Sequence, residues 1–224
     1  MKTDLIRRVP LFATLSDDEF SCLQSVFLIR SFLRNQVIFL EEETGKYMYI
    51  VLAGKVKVTK TTADGKETVL AIQQAGDFFG EMALLDGQTT PATVSAMEDC
   101  RIAMVSNEDF HRHLMHNEKV VQAIIQVLCA RLRQVWGRIQ SLSYATADAR
   151  IRGTLLQLSR RHGVPDDRGI IIDLKITHQD LAGMVGTSRE TVSRTLAQLR
   201  RDGVLLIEGR RIIVLNPRSL LAVT

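Results

Sequence analysis

Thr177-His178-Gln179-Asp180-Leu181-Ala182-Gly183-Met184-Val185-Gly186-Thr187-Ser188-Arg189-Glu190-Thr191-Val192-Ser193-Arg194 is the stretch from which the rest of the chain can be read. Thr177 can cap a helix with Asp180 three residues on; Leu181, Ala182 and Val185 form its apolar face, and Gly186 supplies a tight turn. Thr187 or Ser188 then caps a second helix, in which Val192, Leu196 and Leu199 recur at helical spacing and are expected to bury against the first. Arg189, Glu190, Ser193 and Arg194 fall within an arc of roughly 140° that excludes those three, taking about 100° per residue. All four can face outward together. Their chemistry suits base-pair edges, because arginine pairs bidentately with guanine O6 and N7 while glutamate accepts from the cytosine amino group. Taken alone, the same helix could be an ordinary exposed one carrying an Arg/Glu pair.

Its neighbours point the same way. Asp202-Gly203 turns into an apolar hairpin over residues 204–215 whose tip, Gly209-Arg210-Arg211, is basic. That is the wing of a winged helix-turn-helix, with its tip near a phosphate backbone. Upstream, residues 149 to about 161 read as a helix, 163–167 as a loop and 170–172 as a strand. Residues 148–224 carry 13 Lys and Arg against 8 Asp and Glu, net +5, whereas residues 1–147 carry 16 against 17. A phosphate-binding surface is therefore to be sought in the C-terminal third.

From about Asn117 a heptad seam runs through Val121, Ile125, Leu128, Leu132, Val135, Ile139 and Leu142, with Arg131, Arg133 and Arg138 outside it. Three unbroken heptads favour a two-stranded coiled coil and hence a homodimer. The alternative is that Val120, Ile124 and Trp136 widen the stripe and pack it within the chain; both can hold on different faces. Small and polar residues at 144–148 interrupt the seam and mark a hinge.

Before the seam the pattern is of strands. After a short helix from Ser16, opened by the capping box Ser16-Asp17-Asp18-Glu19, residues 37 to about 105 alternate with period two. Turns are marked at Ala53-Gly54, Asp64-Gly65, Ala75-Gly76 and Asp86-Gly87. Short strands with no helical segments between them suggest an antiparallel roll and exclude a parallel βαβ sheet. The expected fold is α+β: a β-roll over residues 1–116, a dimerisation helix and hinge over 117–145, and a winged helix-turn-helix over 146–224.

Composition excludes several classes. With 46% apolar and 24% charged residues, disorder is not expected. No run approaches the roughly 18 apolar residues of a membrane span, and the opening Met1 to Arg8 lacks a signal-peptide core, so a cytoplasmic protein with no membrane partner is expected. Cys22, Cys100 and Cys129 are scattered and read as buried thiols rather than as metal ligands. Of His111, His113 and His116, only the last two have the spacing to share a helix face, which reads as solvated surface. No metal site is expected. No G-x-S-x-G, H-E-x-x-H or phosphate-binding G-x-x-x-x-G-K occurs, so the chain is not read as an enzyme.

The residues 185–194 quoted above resemble the recognition segment of the cAMP receptor protein/FNR family of bacterial regulators. Upstream, Gly76-Asp77-Phe78-Phe79-Gly80-Glu81-Met82-Ala83-Leu84-Leu85 resembles the phosphate-cassette region of that family's β-roll. The resemblance implies a cyclic-nucleotide-binding-like domain, a dimer through the long helix, and a DNA-binding transcription regulator acting with RNA polymerase. It places Arg189, Glu190 and Arg194 on a half-site of the TGTGA kind and Thr177 on phosphate; with these go Ser188, Ser193, Arg210 and Arg211. The effector pocket would involve Gly80, Glu81, Met82, Thr90, Pro91, Val135 and Trp136.

The chain departs from the family's cAMP binders where the phosphate is held. These place Arg-Ser or Arg-Thr after the cassette, the arginine on the cyclic phosphate and the glutamate on the ribose hydroxyl. Here Thr90 and Pro91 stand there instead. Losing a charge-assisted contact should weaken binding by about 1.5–3 kcal/mol per bond. Val135 and Trp136 replace the hydroxyl residues that meet the adenine, although Trp136 could stack on a base. An iron–sulfur cluster of the FNR type needs several N-terminal cysteines, and residues 1–30 hold only Cys22. The expected effector is thus not cAMP held in the family's standard manner. Open alternatives are a cyclic mono- or dinucleotide in an altered pocket, haem or redox sensing, and, from another class, a nucleotide-binding regulatory module of an enzyme.

Overall fold

Residues 2–62, 65, 67–209 and 211–221 are described by a computed structural model. They form two units, Met1–Thr61 with Leu70–Gln134, and Thr62–Val69 with Val135–Thr224. The first opens with α1 (Lys2–Arg7) and α2 (Asp17–Leu23). The anticipated capping box starts α2: the Glu19 N–H donates to Ser16 Oγ at 3.2 Å and the Ser16 N–H to Glu19 Oε2 at 2.6 Å.

Strands β1 (Leu28–Phe32), β2 (Val37–Phe39), β3 (Tyr47–Ala53), β4 (Lys55–Thr61), β5 (Glu67–Gln74) and β6 (Phe78–Phe79) follow. Then come α3 (Glu81–Asp86), β7 (Thr93–Ala96), β8 (Cys100–Ser106) and α4 (Asn107–Asp109), which runs into a π-helical turn at Phe110–Leu114. Two four-stranded sheets result, in the orders β1-β8-β3-β6 and β2-β7-β4-β5. In β3, Tyr49 and Val51 face one core with Phe39, Val94, Ile102 and Met104. Met48, Ile50 and Leu52 face another, under Phe12, Phe20, Phe110 and Leu114. Both faces of β3 are covered, which is why its residues are apolar without a break.

Two elements here differ from expectation. β1 precedes Val37; its burial is mostly slight, as befits the edge of a sheet, so its period of two is faint in sequence. α3 lies between strands where no helix was anticipated; Gly80 and Gly87, both in the left-handed region (φ 82° and 70°), bracket its six residues.

Helix α5 (Glu118–Tyr144) has two characters. Val120 and Ile124 are buried in the first unit's core, and Leu128 packs partly against it. Ile125, Leu132, Val135, Ile139 and Leu142 are 49–56% exposed and Trp136 is 60% exposed. Intramolecular packing thus takes Val120 and Ile124 but not Trp136.

In the second unit α6 (Ala147–His162), capped by Thr146, leads to β9 (Gly163–Asp166) and β10 (Gly169–Ile172). Residues 163–166 are a strand rather than the expected loop: they pair with β10 from Gly163↔Ile172 to Asp166↔Gly169. β9 is an edge strand, where Pro165 is tolerated without its N–H. Helices α7 (His178–Val185) and α8 (Arg189–Arg201) precede the hairpin β11 (Leu205–Glu208) and β12 (Arg211–Val214), and the sheet order is β11-β12-β10-β9.

Candidate nucleic-acid interface and effector pocket

The second unit builds a polar helix face on an apolar base. Val192, Leu196 and Leu199 of α8 are each 0% exposed, over Leu181, Ala182 and Val185 of α7 and Ile151 and Leu155 of α6. Gly186 closes α7 in the left-handed conformation (φ 70°), its N–H and that of Thr187 both donating to Ala182 O. Arg150 holds this turn from α6: its guanidinium donates to Val185 O (3.1 Å), Ala145 O (2.8 Å) and Gly186 O (3.2 Å). Nothing in the local sequence singled out Arg150, because two of its three partners are 35 and 36 residues away.

Ser188 caps α8, its Oγ accepting from the Thr191 N–H at 3.2 Å. Arg189, Glu190 and Arg194 are exposed on the first turns of the helix. Neither arginine makes a side-chain hydrogen bond or ion pair within hydrogen-bonding distance among the described residues. The Glu190 carboxyl lies below its usual range because its own backbone N–H, the Ser188 hydroxyl and nearby Arg189 favour the charged form. Ser193 is half-buried, and its Oγ lies 2.8 Å from His178 Nδ1, so this hydroxyl ties α8 to α7. The Thr177 Oγ1 accepts from the Asp180 N–H (3.0 Å) and the Thr177 N–H donates to Asp180 Oδ2 (2.8 Å), a capping box where the spacing suggested a cap, and the Thr177 hydroxyl donates to the same carboxylate oxygen (2.7 Å). On the wing, Arg211 is exposed at the start of β12 opposite Glu208, whose carboxylate is held by Arg168. Arg210 lies outside the described residues.

In the first unit the cassette residues surround a buried carboxylate. Glu81 is 1% exposed at the first turn of α3. Arg131 of α5 donates to Glu81 Oε1 (2.8 Å) and to Phe78 O, and its guanidinium lies 4.9 Å from the Phe78 ring centroid. Glu81 Oε2 is buried without a hydrogen-bond partner among the described residues. Burial pushes the Glu81 carboxyl above its usual range, against the pull of Arg131. The heptad pattern places Arg131 only off the seam, because the carboxylate it serves is 50 residues away.

Gly80 must be glycine, since besides its positive φ a Cβ would lie 2.8 Å from the Tyr49 ring and 2.9 Å from Tyr47 O. Met82 and Pro91 are exposed. Thr90 is 4% exposed, and its Oγ1 donates to Leu40 O at 2.6 Å and accepts from the Glu43 N–H at 3.1 Å. This hydroxyl fastens the backbone between β2 and β3. Val135 and Trp136 lie on the part of α5 that belongs to the second unit.

The thiols differ from expectation. Only Cys100 is buried, with its pKa raised by desolvation, while Cys22 and Cys129 are exposed. His111 and His116 are exposed and His113 is half-buried; His111 Nε2 donates to Leu84 O (3.0 Å) and His116 Nδ1 to His111 O (2.8 Å), so two of these surface histidines also fasten the π-helical turn. Among the described residues no group of three His, Cys, Asp or Glu could hold a metal, and no helix is long and apolar enough to cross a membrane.

Residues 29–117 match the family model of the cyclic nucleotide-binding domain and residues 149–223 that of the Crp-like helix-turn-helix domain. The chain is 34% identical over 196 residues to the cyclic AMP receptor protein of Thermus thermophilus, covering 88% of each. Among solved structures it is similar to the c-di-GMP responsive global regulator CLP of Xanthomonas campestris, with 25% identity, TM-score 0.78, and 90% and 100% of the two chains covered. FixK2 of Bradyrhizobium japonicum is similar at 26% identity and TM-score 0.77, with 88% and 96% covered.

Proposed function

The chain belongs to the cAMP receptor protein/FNR family and is a DNA-binding transcription regulator with an effector-controlled sensor domain; from that premise we propose that it acts as a homodimer joined along α5, each α8 reading one TGTGA-like half-site of a palindrome. The observation that carries this reading is the pair Arg189 and Arg194. Both are exposed, neither is committed to a partner carboxylate, and they stand on a helix fixed from below by three fully buried side chains. Free guanidiniums on one face are what bidentate contact with guanine requires. Ser188, Thr177, Arg211 and Arg210 would lie along the phosphates, giving affinity that falls steeply with salt.

The dimer reading rests on the apolar row Ile125, Leu132, Val135, Ile139 and Leu142, which a partner α5 would cover. Val121 and Leu128 complete the seam. Residues 1–116 would then be the sensor, 117–145 the dimerisation helix and hinge, and 146–224 the DNA-binding domain. Two recognition helices would meet successive major grooves about 34–36 Å apart. RNA polymerase is the expected partner at a promoter in the cytoplasm, and no catalytic step belongs to this reading.

The residues present do not fit a cyclic nucleotide held by its phosphate. Glu81 Oε2, buried and unpartnered, suits a ligand hydroxyl, but Thr90 and Pro91 offer no cation, and the Thr90 hydroxyl is already committed to backbone. One relative is a cyclic AMP receptor protein and another a c-di-GMP responsive regulator, so effectors differ among similar chains. Sedimentation with a labelled TGTGA palindrome tests the reading. Two protomers per palindrome are expected for wild type, and monomeric protein for Ile139→Lys. Monomeric wild type at micromolar concentration would contradict the dimer. Arg189→Ala and Arg194→Ala variants that discriminate sequences as wild type does would contradict the recognition helix.

A further inference from the structure

A cavity of about 180 Å³ opens into the roll beside β1, β2, β3 and the loop at residues 43–46. Of the cassette residues it is lined by Thr90 alone; Gly80, Glu81, Met82 and Pro91 do not contribute. Part of its wall is aromatic. Phe39 and Tyr49 meet at 5.3 Å between ring centroids, Tyr47 and Tyr49 at 6.1 Å, and Tyr49 lies flat on Phe79 at 5.1 Å.

Three charged residues share this lining: Arg30, Lys46 and Glu43. None of their side chains makes a hydrogen bond or ion pair with a described residue. The β1–β8 register sets Arg30 opposite Ile102 and Phe32 opposite Cys100, whose side chains fill the core between the sheets, so Arg30 shares the core-facing row of β1 although, like Lys46 and Glu43, it is exposed to solvent. Arg30 and Glu43 are both near enough to act on the Tyr49 phenol, which burial pushes up to about 12, keeping it a hydrogen-bond donor at neutral pH. An inward charge on an edge strand is also a device against edge pairing. That would account for Arg30, but not for Lys46, Glu43 and the space between them.

We propose that this cavity binds a small aromatic carboxylate, its ring against Phe39, Tyr47 and Tyr49 and its carboxylate on Arg30 and Lys46. It rests on the reading of the roll as the sensor domain, and makes this ligand the effector. Two cations against one carboxylate favour an anion, and Glu43 is placed to accept from a hydroxyl or amino substituent on the ring. At about 30 Å³ per water, the space equals about six waters. One substituted six-membered ring fits in it.

Fluorine NMR of the full chain titrated with 4-fluorobenzoate, and separately with neutral 4-fluorobenzyl alcohol, tests the site. Expected is saturable broadening of the benzoate alone, with a dissociation constant below about 1 mM for so small a ligand. Arg30→Met and Lys46→Met should each weaken it at least about tenfold, and Thr44→Trp at the exposed rim should abolish it, with circular-dichroism melts matching wild type. If one cation variant fails to fold, the other carries the test. Equal binding of the alcohol, benzoate binding unchanged in the cation variants, or no saturable binding would each overturn the proposal. The same samples assayed on the palindrome separate the two ideas: intact sequence-specific DNA binding without benzoate binding sinks this site alone, and absent DNA binding sinks the regulator reading.

Discussion

Polar side chains are left over on α8 and used up around the cassette. Arg189 and Arg194 are exposed and make no ion pair within hydrogen-bonding distance among the described residues, whereas Glu81 is gripped by Arg131 and the Thr90 hydroxyl is fastened to backbone. The difference follows from desolvation. An unpaired guanidinium in water costs little, so a surface meant for another molecule can wait exposed, but a buried polar group must be matched within the chain or by a ligand. On that account Glu81 Oε2, the one buried side-chain oxygen or nitrogen without a partner among the described residues, is where the interior of the first unit still has something to bind, while the exposed charges at the roll cavity wait in water as those on α8 do.

Substitutions should separate the two regions sharply. The largest effect is expected for Arg131→Ala, which strands a buried carboxylate and should destabilise the first unit by about 3 kcal/mol, at the low end for such pairs because Arg131 is partly exposed. Urea unfolding followed separately in each unit checks this; equal loss in both would blur the distinction. Arg150→Ala removes three hydrogen bonds under the turn of the helix-turn-helix and should cost the second unit about 2 kcal/mol, weakening binding to all DNA sequences alike. Arg194→Ala should leave both units as stable as before and relax base preference at one position by about 1–3 kcal/mol, read by competition among single-base variants. His178→Ala frees Ser193 and should shift that preference only a few-fold, without changing the salt slope.

The smallest effect expected is one of pH. Because burial raises the Glu81 carboxyl, the folded chain holds that proton more tightly than the unfolded one, so its contribution is full below the ordinary carboxylate value and is lost as pH rises through the raised value. Wild type should lose stability over that window and Glu81→Gln should lack the slope. A slope of opposite sign would mean that Arg131 outweighs burial.

What was legible in the sequence follows the same division. The helix-turn-helix was readable almost to its caps, because Thr177 and Gly186 act within a turn of themselves and Val192, Leu196 and Leu199 keep helical period; Thr187 and Ser188 both suited the second cap, and the structure uses Ser188. The roll was legible as alternating strands, but β1 and α3 were not, one a lightly buried edge and the other a six-residue helix held between glycines. Arg131, Arg150 and His178 were missed for one reason: each has a partner far along the chain, 50, 35 and 15 residues away, where no periodicity reaches. Helix α5 carried two overlapping stripes, and only the structure showed that Val120 and Ile124, with Leu128 in part, serve the chain itself while Ile125, Leu132, Val135, Ile139 and Leu142 stay about half exposed.

The most direct test of the account is the fluorescence anisotropy of a labelled TGTGA palindrome, titrated with the protein at one salt concentration, with and without cAMP, against scrambled DNA. The account predicts preference for the palindrome, lost in the Arg189→Ala, Arg194→Ala double variant and unchanged by cAMP. Preference that appears only when cAMP is added would contradict it, because Thr90 and Pro91 would then be holding a cyclic phosphate that this geometry gives them no means to hold.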